Sequence, residues 1–254
     1  MKVSIITVCY NAEITIGDTI RSVASQDYDD IEYIIVDGGS TDGTCDVIKR
    51  YGKNITTWIS EPDEGIYDAM NKGISMASGD IIGILNADDF YVDSHIISTV
   101  VSEFKQKQVD SVFADLVVVD QHNSNKVVRY YRANHFTPSK FAYGWMPPHP
   151  TFFVKKSCYD ELGLYKIDYE IAADYELLIR FLAVAGVSYS YIPKVLIKMR
   201  AGGVSSQSIK SNLTLNKEII RACRENGIST NMFKVLSKYP RKFMEMILKP
   251  GDEI

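Results

Sequence analysis

The sequence predicts an α/β fold: a Rossmann-like mixed sheet, parallel in its N-terminal half, flanked by helices and followed by a helical C-terminal extension. Three observations predict it. Short β-branched runs alternate with helix-periodic stretches through the first 93 residues, the pattern of βαβ units and a parallel sheet. Beyond Asp93 two strand-like runs flank a polar turn, which indicates an antiparallel hairpin and so a sheet that becomes mixed. From Ile209 onward the pattern is helical.

The elements follow in order. Residues 3–8 (VSIITV) form a β-branched strand, and residues 14–25 carry Ile16, Ile20 and Val23 at helical spacing. Residues 31–36 form a second strand, which ends in the turn DGGSTDG at 37–43. A helix at 44–51, a strand at 55–59, a helix at 66–77 stopped by Ser78 and Gly79, and a strand at 81–85 complete the parallel half. A helix is expected over 94–107, then strands over 111–120 and 126–131 around the turn HNSN at 122–125. A short strand is expected over 151–154 and another over 188–192. Between them the helix over 174–185 places Leu177, Leu178, Phe181 and Leu182 on one side.

Composition bounds the function. With 46% hydrophobic and 24% charged residues the chain can bury an ordinary core, and a net charge of -4 argues against a nucleic-acid partner. The charge is uneven: residues 200–254 hold ten Lys and Arg against five Asp and Glu, and the remainder holds 18 against 27. Cys9, Cys45, Cys158 and Cys223 form no CxxC pair, which points to free thiols in a reducing cytoplasm. Met1-Lys2 leads straight into a strand, so no cleaved leader is expected, and no run reaches the ~20 apolar residues of a membrane span.

Ligands of open α/β sheets bind at the carboxyl ends of the strands. Here those ends read TVCYN at 7–11, Asp37, SEPDEG at 60–65 and NADD at 86–89, and three of the four are acidic. Asp88 and Asp89 repel each other; a hard divalent cation, Mg²⁺ or Mn²⁺, resolves the conflict by bridging carboxylate to phosphate. Asp37 before two glycines can accept a ring N–H from a flat ligand such as uracil, thymine or guanine. Neither GxGxxG nor GxxxxGK[ST] occurs, so a phosphate-cradling loop is absent.

The stretches VCYN, IIVDGGSTDGT, SEPDEGIYDAMNKGISMASGD and NADD, in this order, closely resemble the family 2 inverting glycosyltransferases of the GT-A fold, of the bacterial surface-polysaccharide type. The likeness is strong over about the first 100 residues and continues more weakly through HPTFF and IAADYELLIRFL to about residue 200. It implies a catalytic domain over residues 1–205, divided into a nucleotide-binding half at 1–100 and an acceptor-side half at 101–205, with a helical extension at 206–254. By this resemblance Asp37 binds the nucleobase, Thr7, Tyr10 and Asn11 line the nucleoside pocket, and Asp68 and Lys72 reach the base or diphosphate. Asp88 then holds the ribose and Asp89 the metal, although Asn86 replaces the first acidic residue of the family's DxD motif. Asp174 is the implied catalytic base, with Glu170 and Glu176 as alternatives. The implied donor is a UDP-sugar, and the implied acceptor is a hydroxyl of a glycan or a lipid-linked glycan at the inner face of a membrane.

Two other readings stay open on sequence alone: a nucleotidyltransferase, which also gathers acidic residues round a metal, and a non-catalytic sugar-nucleotide binding module. His149 in PPHP is either a diphosphate or metal contact or a structural histidine. Arg200 belongs either to a phosphate-facing flap or to an ordinary surface loop. The tail, with Lys234, Lys238, Arg241 and Lys249 against Phe233, Leu236, Phe243 and Ile247, can lie on an anionic membrane or pack on the body.

Overall fold

The computed structural model describes residues 1–202 and 209–240. The N-terminal half runs β1 (Val3–Cys9), α1 (Ile16–Ala24), β2 (Ile31–Asp37), α2 (Thr44–Arg50), β3 (Thr57–Ser60), α3 (Ile66–Met76) and β4 (Ile81–Ile84). The second half adds β5 (Phe90–Tyr91), α4 (Ile96–Lys107), β6 (Ser111–Val119), β7 (Val127–Tyr131), β8 (Phe153–Lys155), α5 (Lys156–Leu162), α6 (Ala173–Leu178) and β9 (Tyr189–Arg200). The helices α7 (Ile209–Glu225) and α8 (Met232–Leu236) follow. Among the described residues the strands form one sheet in the order β3-β2-β1-β4-β8-β6-β9-β5, with β7 also paired to β6. The β1, β2, β3 and β4 pairings are parallel, whereas β8 is antiparallel to both β4 and β6. The expected parallel-to-mixed sheet and the β6–β7 hairpin are both present.

Alternation along the strands builds two cores. Ile6, Val8, Ile34 and Val36 face α3 and α6, while Ile5, Tyr33 and Ile35 face α1 and α4. Both faces are covered, so β1 is buried along its whole length. α3 lies so close on the sheet that a Cβ at Gly73 would stand 2.4 Å from Ile6 Cγ2. That close approach fixes the height of α3 above the strand ends that form the site.

Three expectations need correction. The strand expected over 188–192 extends to Arg200, because the β6–β9 register shifts around Asp115 and absorbs Pro193 and Lys194 as a bulge. The short strand β5, which has no counterpart among the expected elements, pairs with this extension, Phe90 opposite Lys198. The helix expected over 174–185 is α-helical only to Leu178 and continues as a π-helical turn over Ile179–Val184. α5 is likewise an addition to the expected elements.

At the opposite edge from the site, Glu32 ties three chain segments together. It accepts from Lys2 Nζ at 2.8 Å, Ser4 Oγ at 2.5 Å, and Ser78 N and Oγ at 2.7 and 2.6 Å. Burial pushes its carboxyl up, but these donors outweigh burial and bring it down to about 2. A lowered folded-state pKa stabilises the fold above the ordinary value near 4.5 and loses that contribution as pH falls towards 2. Glu32→Gln is therefore expected to cost on the order of 3 kcal/mol at pH 7 in urea denaturation, with the difference from wild type vanishing near pH 2. A pH-independent difference would contradict this assignment.

Candidate active site

The C-terminal ends of β1, β2 and β3 are knitted by their loops. Asn11, at φ 50°, accepts from Thr41 N at 2.9 Å and donates its own N–H to Ser40 Oγ at 2.8 Å. Ala12 N donates to Thr44 Oγ1 at 2.7 Å. Tyr10, just before this lock, is 63% exposed. Asp37 ends β2 with 0% exposure and accepts from Ser40 N at 2.9 Å, Gly39 N at 3.2 Å and Ser60 Oγ at 2.7 Å. Burial raises its carboxyl, but hydrogen bonds from Ser40, Ser60 and Cys45 outweigh burial and hold it below its usual range.

β4 ends one turn before the two neighbouring aspartates, and the structure separates them by exposure. Asp88 is half-buried, and burial pushes its carboxyl up against the opposing pull of Arg200 and His149. Asp89 is 1% exposed, and among the described residues neither of its carboxylate oxygens has a hydrogen-bond partner. Burial and the charge of Asp88 push it well above the ordinary carboxylate range. Its backbone carbonyl accepts from Thr19 at 2.8 Å, which anchors the turn on α1. Arg200 closes the turn from below: it donates to the Asp88 carbonyl at 2.9 Å, pairs with Asp18 and stacks on Phe90. Arg200 is thus a half-buried residue at the end of β9 that braces the aspartate turn, not part of a surface loop or flap.

Opposite this turn, His149 Nδ1 lies 2.9 Å from Asp174 Oδ2. An ionised carboxylate only accepts, so Nδ1 carries the proton and donates. Asp174 stands in the first turn of α6, and the chain leading to it is held by α7. Glu218 accepts from the backbone N–H groups of Glu170, Ile171 and Ala172 at 2.7, 2.9 and 2.9 Å. Tyr67 on α3 donates to the Ile171 carbonyl, and Asn71 exchanges two 2.9 Å bonds with Tyr165. An open groove of about 370 Å³ runs between the start of α3 (Glu64 to Tyr67) and residues 167–170.

The residues expected from sequence divide accordingly. Tyr10, Asn11 and Asp88 lie just beyond the C-terminal ends of β1 and β4, and Asp174 is linked to that edge through His149, which bonds it and whose charge acts on Asp88. Thr7 is not open to a ligand: it is 0% exposed and its hydroxyl accepts from Tyr33 at 3.1 Å, because it shares with Ile5 the face of β1 that α1 and α4 cover. Asp68 and Lys72 hold a loop: Asp68 accepts from Glu64 N at 3.1 Å, and Lys72 meets Glu61 at 2.9 Å and the Pro62 carbonyl at 3.1 Å. Glu176 is 0% exposed and paired with Arg180 and Lys166, so it has no access to a substrate. Glu218 had no sequence signal; it lies 44 residues beyond Asp174, and only the packing of α7 on α6 brings it there.

A family profile described as Glycosyl transferase family 2 matches residues 4–161. The chain belongs to this family. It is 32% identical over 180 residues to an uncharacterized glycosyltransferase of Mycobacterium tuberculosis, covering 70% of this chain and 68% of that protein. It is 25% identical over 223 residues to a PGL/p-HBAD biosynthesis glycosyltransferase of Mycobacterium bovis, covering 86% and 82%. Staphylococcus aureus TarS 1-349 in complex with UDP-GlcNAc superposes with a TM-score of 0.69 at 16% identity, over 96% of this chain and 73% of that one. The chain spans 44% of the longer TarS structure. The mannosyltransferase PcManGT from Pyrobaculum calidifontis, in complex with GDP-Man and Mn2+, gives 0.66 at 19% identity, over 96% and 70%. The fold of this family 2 member is accordingly the GT-A type. Among its described residues no helix is long and apolar enough to cross a membrane.

The Glu218 clamp is testable by hydrogen exchange. Glu218→Ala is expected to speed exchange of the amides at 170–172 at least about tenfold, from the loss of charge-assisted bonds, while β1 and β2 keep their protection. Unchanged protection at 170–172 would mean that Tyr67 and Asn71 hold this segment without Glu218.

Proposed function

We propose that this glycosyltransferase moves a sugar with inversion from a UDP-sugar to a hydroxyl of a glycan or lipid-linked acceptor in surface-polysaccharide assembly, using Asp174 as base. The observation that carries the reading is His149. It bonds Asp174 at 2.9 Å and lies near enough to Asp88 for its charge to act there, which supports a base and a diphosphate-side carboxylate working on one substrate. The sugar nucleotides bound by TarS and PcManGT support a nucleoside diphosphate sugar as donor.

In the proposed transfer the acceptor oxygen attacks the anomeric carbon from the face opposite the nucleotide. The bond from that carbon to the diphosphate oxygen breaks, and the acceptor proton passes to Asp174. His149 holds the Asp174 carboxylate in one rotamer by its Nδ1–H, and the remaining oxygen is shared with the Tyr175 backbone N–H at 2.7 Å. Tyr10 and Asn11 border the nucleoside.

Among the described residues no three His, Cys, Asp or Glu side chains form a ready-made metal cluster. The residues nonetheless fit a hard divalent cation that shares its shell with substrate phosphate. Asp88 offers a half-buried carboxylate at the sheet edge, and the buried Asn86 Oδ1 has no partner among the described residues. We assign the Mn²⁺ or Mg²⁺ contact to Asp88 and not, as the motif alone suggested, to Asp89, which is enclosed behind it. When bound, the cation would supply charge neutralisation for the departing diphosphate. The exposed Phe233 beside Lys234 supports peripheral contact of the basic tail with a membrane at the cytoplasmic face; Arg241, Phe243, Ile247 and Lys249 lie outside the described residues.

Asp174→Asn tests the base. Turnover of a UDP-sugar is expected to fall about 10³-fold while UDP binding, read by thermal shift, is unchanged. Retained turnover would remove Asp174 from the chemistry. Absence of turnover in both forms would favour the non-catalytic binding module.

A further inference from the structure

We propose that Asp63, not Asp37, is the carboxylate that reads the ring N–H of the donor's nucleobase; the proposal rests on a nucleoside diphosphate sugar being the donor. The first argument is saturation. A carboxylate offers about four lone-pair sites. On Asp37, Oδ2 takes Ser40 N at 2.9 Å, Gly39 N at 3.2 Å, Ser60 Oγ at 2.7 Å and the Cys45 thiol at 3.5 Å, and Oδ1 takes Ser40 Oγ at 2.5 Å and the Cys9 thiol at 3.5 Å. With 0% exposure the group has neither a free site nor an opening towards a ligand. Asp37 shapes the turn that follows it.

The second argument is position. A Cβ built on Gly38 would stand 2.3 Å from Asp63 Oδ2. Asp63 therefore fills the space that a side chain at position 38 would take, one residue beyond Asp37. The backbone there is fixed from both sides: Gly38 N donates to the Cys9 carbonyl at 2.9 Å, and Glu61 N donates to the Asp37 carbonyl at 3.0 Å. The exposed Tyr10 follows Cys9 directly, so an aromatic ring and this carboxylate border the same strand ends.

The third argument is that Asp63 is held yet available. Its Oδ1 accepts from Gly65 N at 2.9 Å, while its Oδ2 makes no hydrogen bond among the described residues. Asp68 and Lys72, which the sequence suggested as direct ligands, secure the loop that carries it through Glu64 N, Glu61 and the Pro62 carbonyl. An ionised carboxylate accepts and cannot donate. It matches the ring N–H of uracil, thymine or guanine and meets only a lone pair at the corresponding nitrogen of cytosine or adenine. A site built this way rejects the unmatched partner strongly.

The test is calorimetric binding of UDP, GDP and CDP in the presence of Mn²⁺ to wild type, Asp63→Ala, Asp63→Asn, Gly38→Ala and the Gly38→Ala/Asp63→Ala double variant. Wild type is expected to prefer UDP or GDP over CDP by at least about tenfold, and Asp63→Ala to remove about that factor while leaving CDP unchanged. Asp63→Asn keeps an acceptor for Gly65 N, can either accept or donate at the base, and is expected to narrow the preference without loss of fold. Gly38→Ala, which displaces the carboxylate, should reproduce the Asp63→Ala loss but add nothing in the double variant. Equal losses for UDP and CDP, no loss in Asp63→Ala, or a wild type without preference or preferring CDP would each overturn the role of Asp63 and leave the donor class standing. A wild type that binds none of the three, nor dTDP, would overturn the donor class itself.

Discussion

A pair of neighbouring carboxylates at the sheet edge, with no cationic side chain bonded to either among the described residues, is the constraint around which this molecule is arranged. The parallel strands β1, β2 and β4 end at a rim where Asp88 and Asp89 sit side by side, the second of them enclosed and with both oxygens unpaired among the described residues. A fold selected for stability alone would place a lysine or arginine against them, because an unpaired buried carboxylate is among the more costly features a core can hold. Arg200 is close enough to have served, but its guanidinium is committed to the Asp88 carbonyl and to Asp18. The rim is left acidic, and under the proposed function the missing positive charge comes from a cation that arrives with the donor.

The rest of the fold holds other groups at fixed positions around that rim. α3, lowered onto β1 by Gly73, reaches the loop before α6 through Tyr67 and Asn71. α7 packs Ile219, Ala222 and Cys223 into the same apolar cluster as α6 and presents Glu218 to three consecutive backbone amides. The helical extension is thus structurally part of the site's support, even though it follows the residues that define the sheet. Supporting contacts of this kind set the precision with which a base such as Asp174 can be aimed.

The parallel half was legible in the sequence because each strand there is a short run rich in β-branched residues and the helices between them carry apolar residues at helical spacing. β9 was not, because Pro193 reads as a terminus and only the bulge opposite Asp115 carries the strand past it. Thr7 was misplaced although the signal was present: counting by two from Ile5 puts it on the inward face with Tyr33. The acidic strand ends located the site, yet they could not say which carboxylates are free. That distinction depends on whether Ser40 and Ser60 fold back on Asp37, and on Asp63 swinging over Gly38, both of which are three-dimensional facts. His149 was visible as a motif residue, but its bond to Asp174 spans 25 residues, through β8, α5 and the loop that follows, and carries no periodic signature.

The central claim, that the acidic rim grips a diphosphate through a cation held by Asp88, is tested most directly by UDP affinity measured with Mn²⁺ and with chelator in wild type, Asp88→Asn and Asp89→Asn. Wild type and Asp89→Asn are expected to bind UDP on the order of 100-fold more tightly with Mn²⁺, and Asp88→Asn to lose that increment. Equal affinity with and without the cation in wild type, or an increment that survives in Asp88→Asn and disappears in Asp89→Asn, would contradict it.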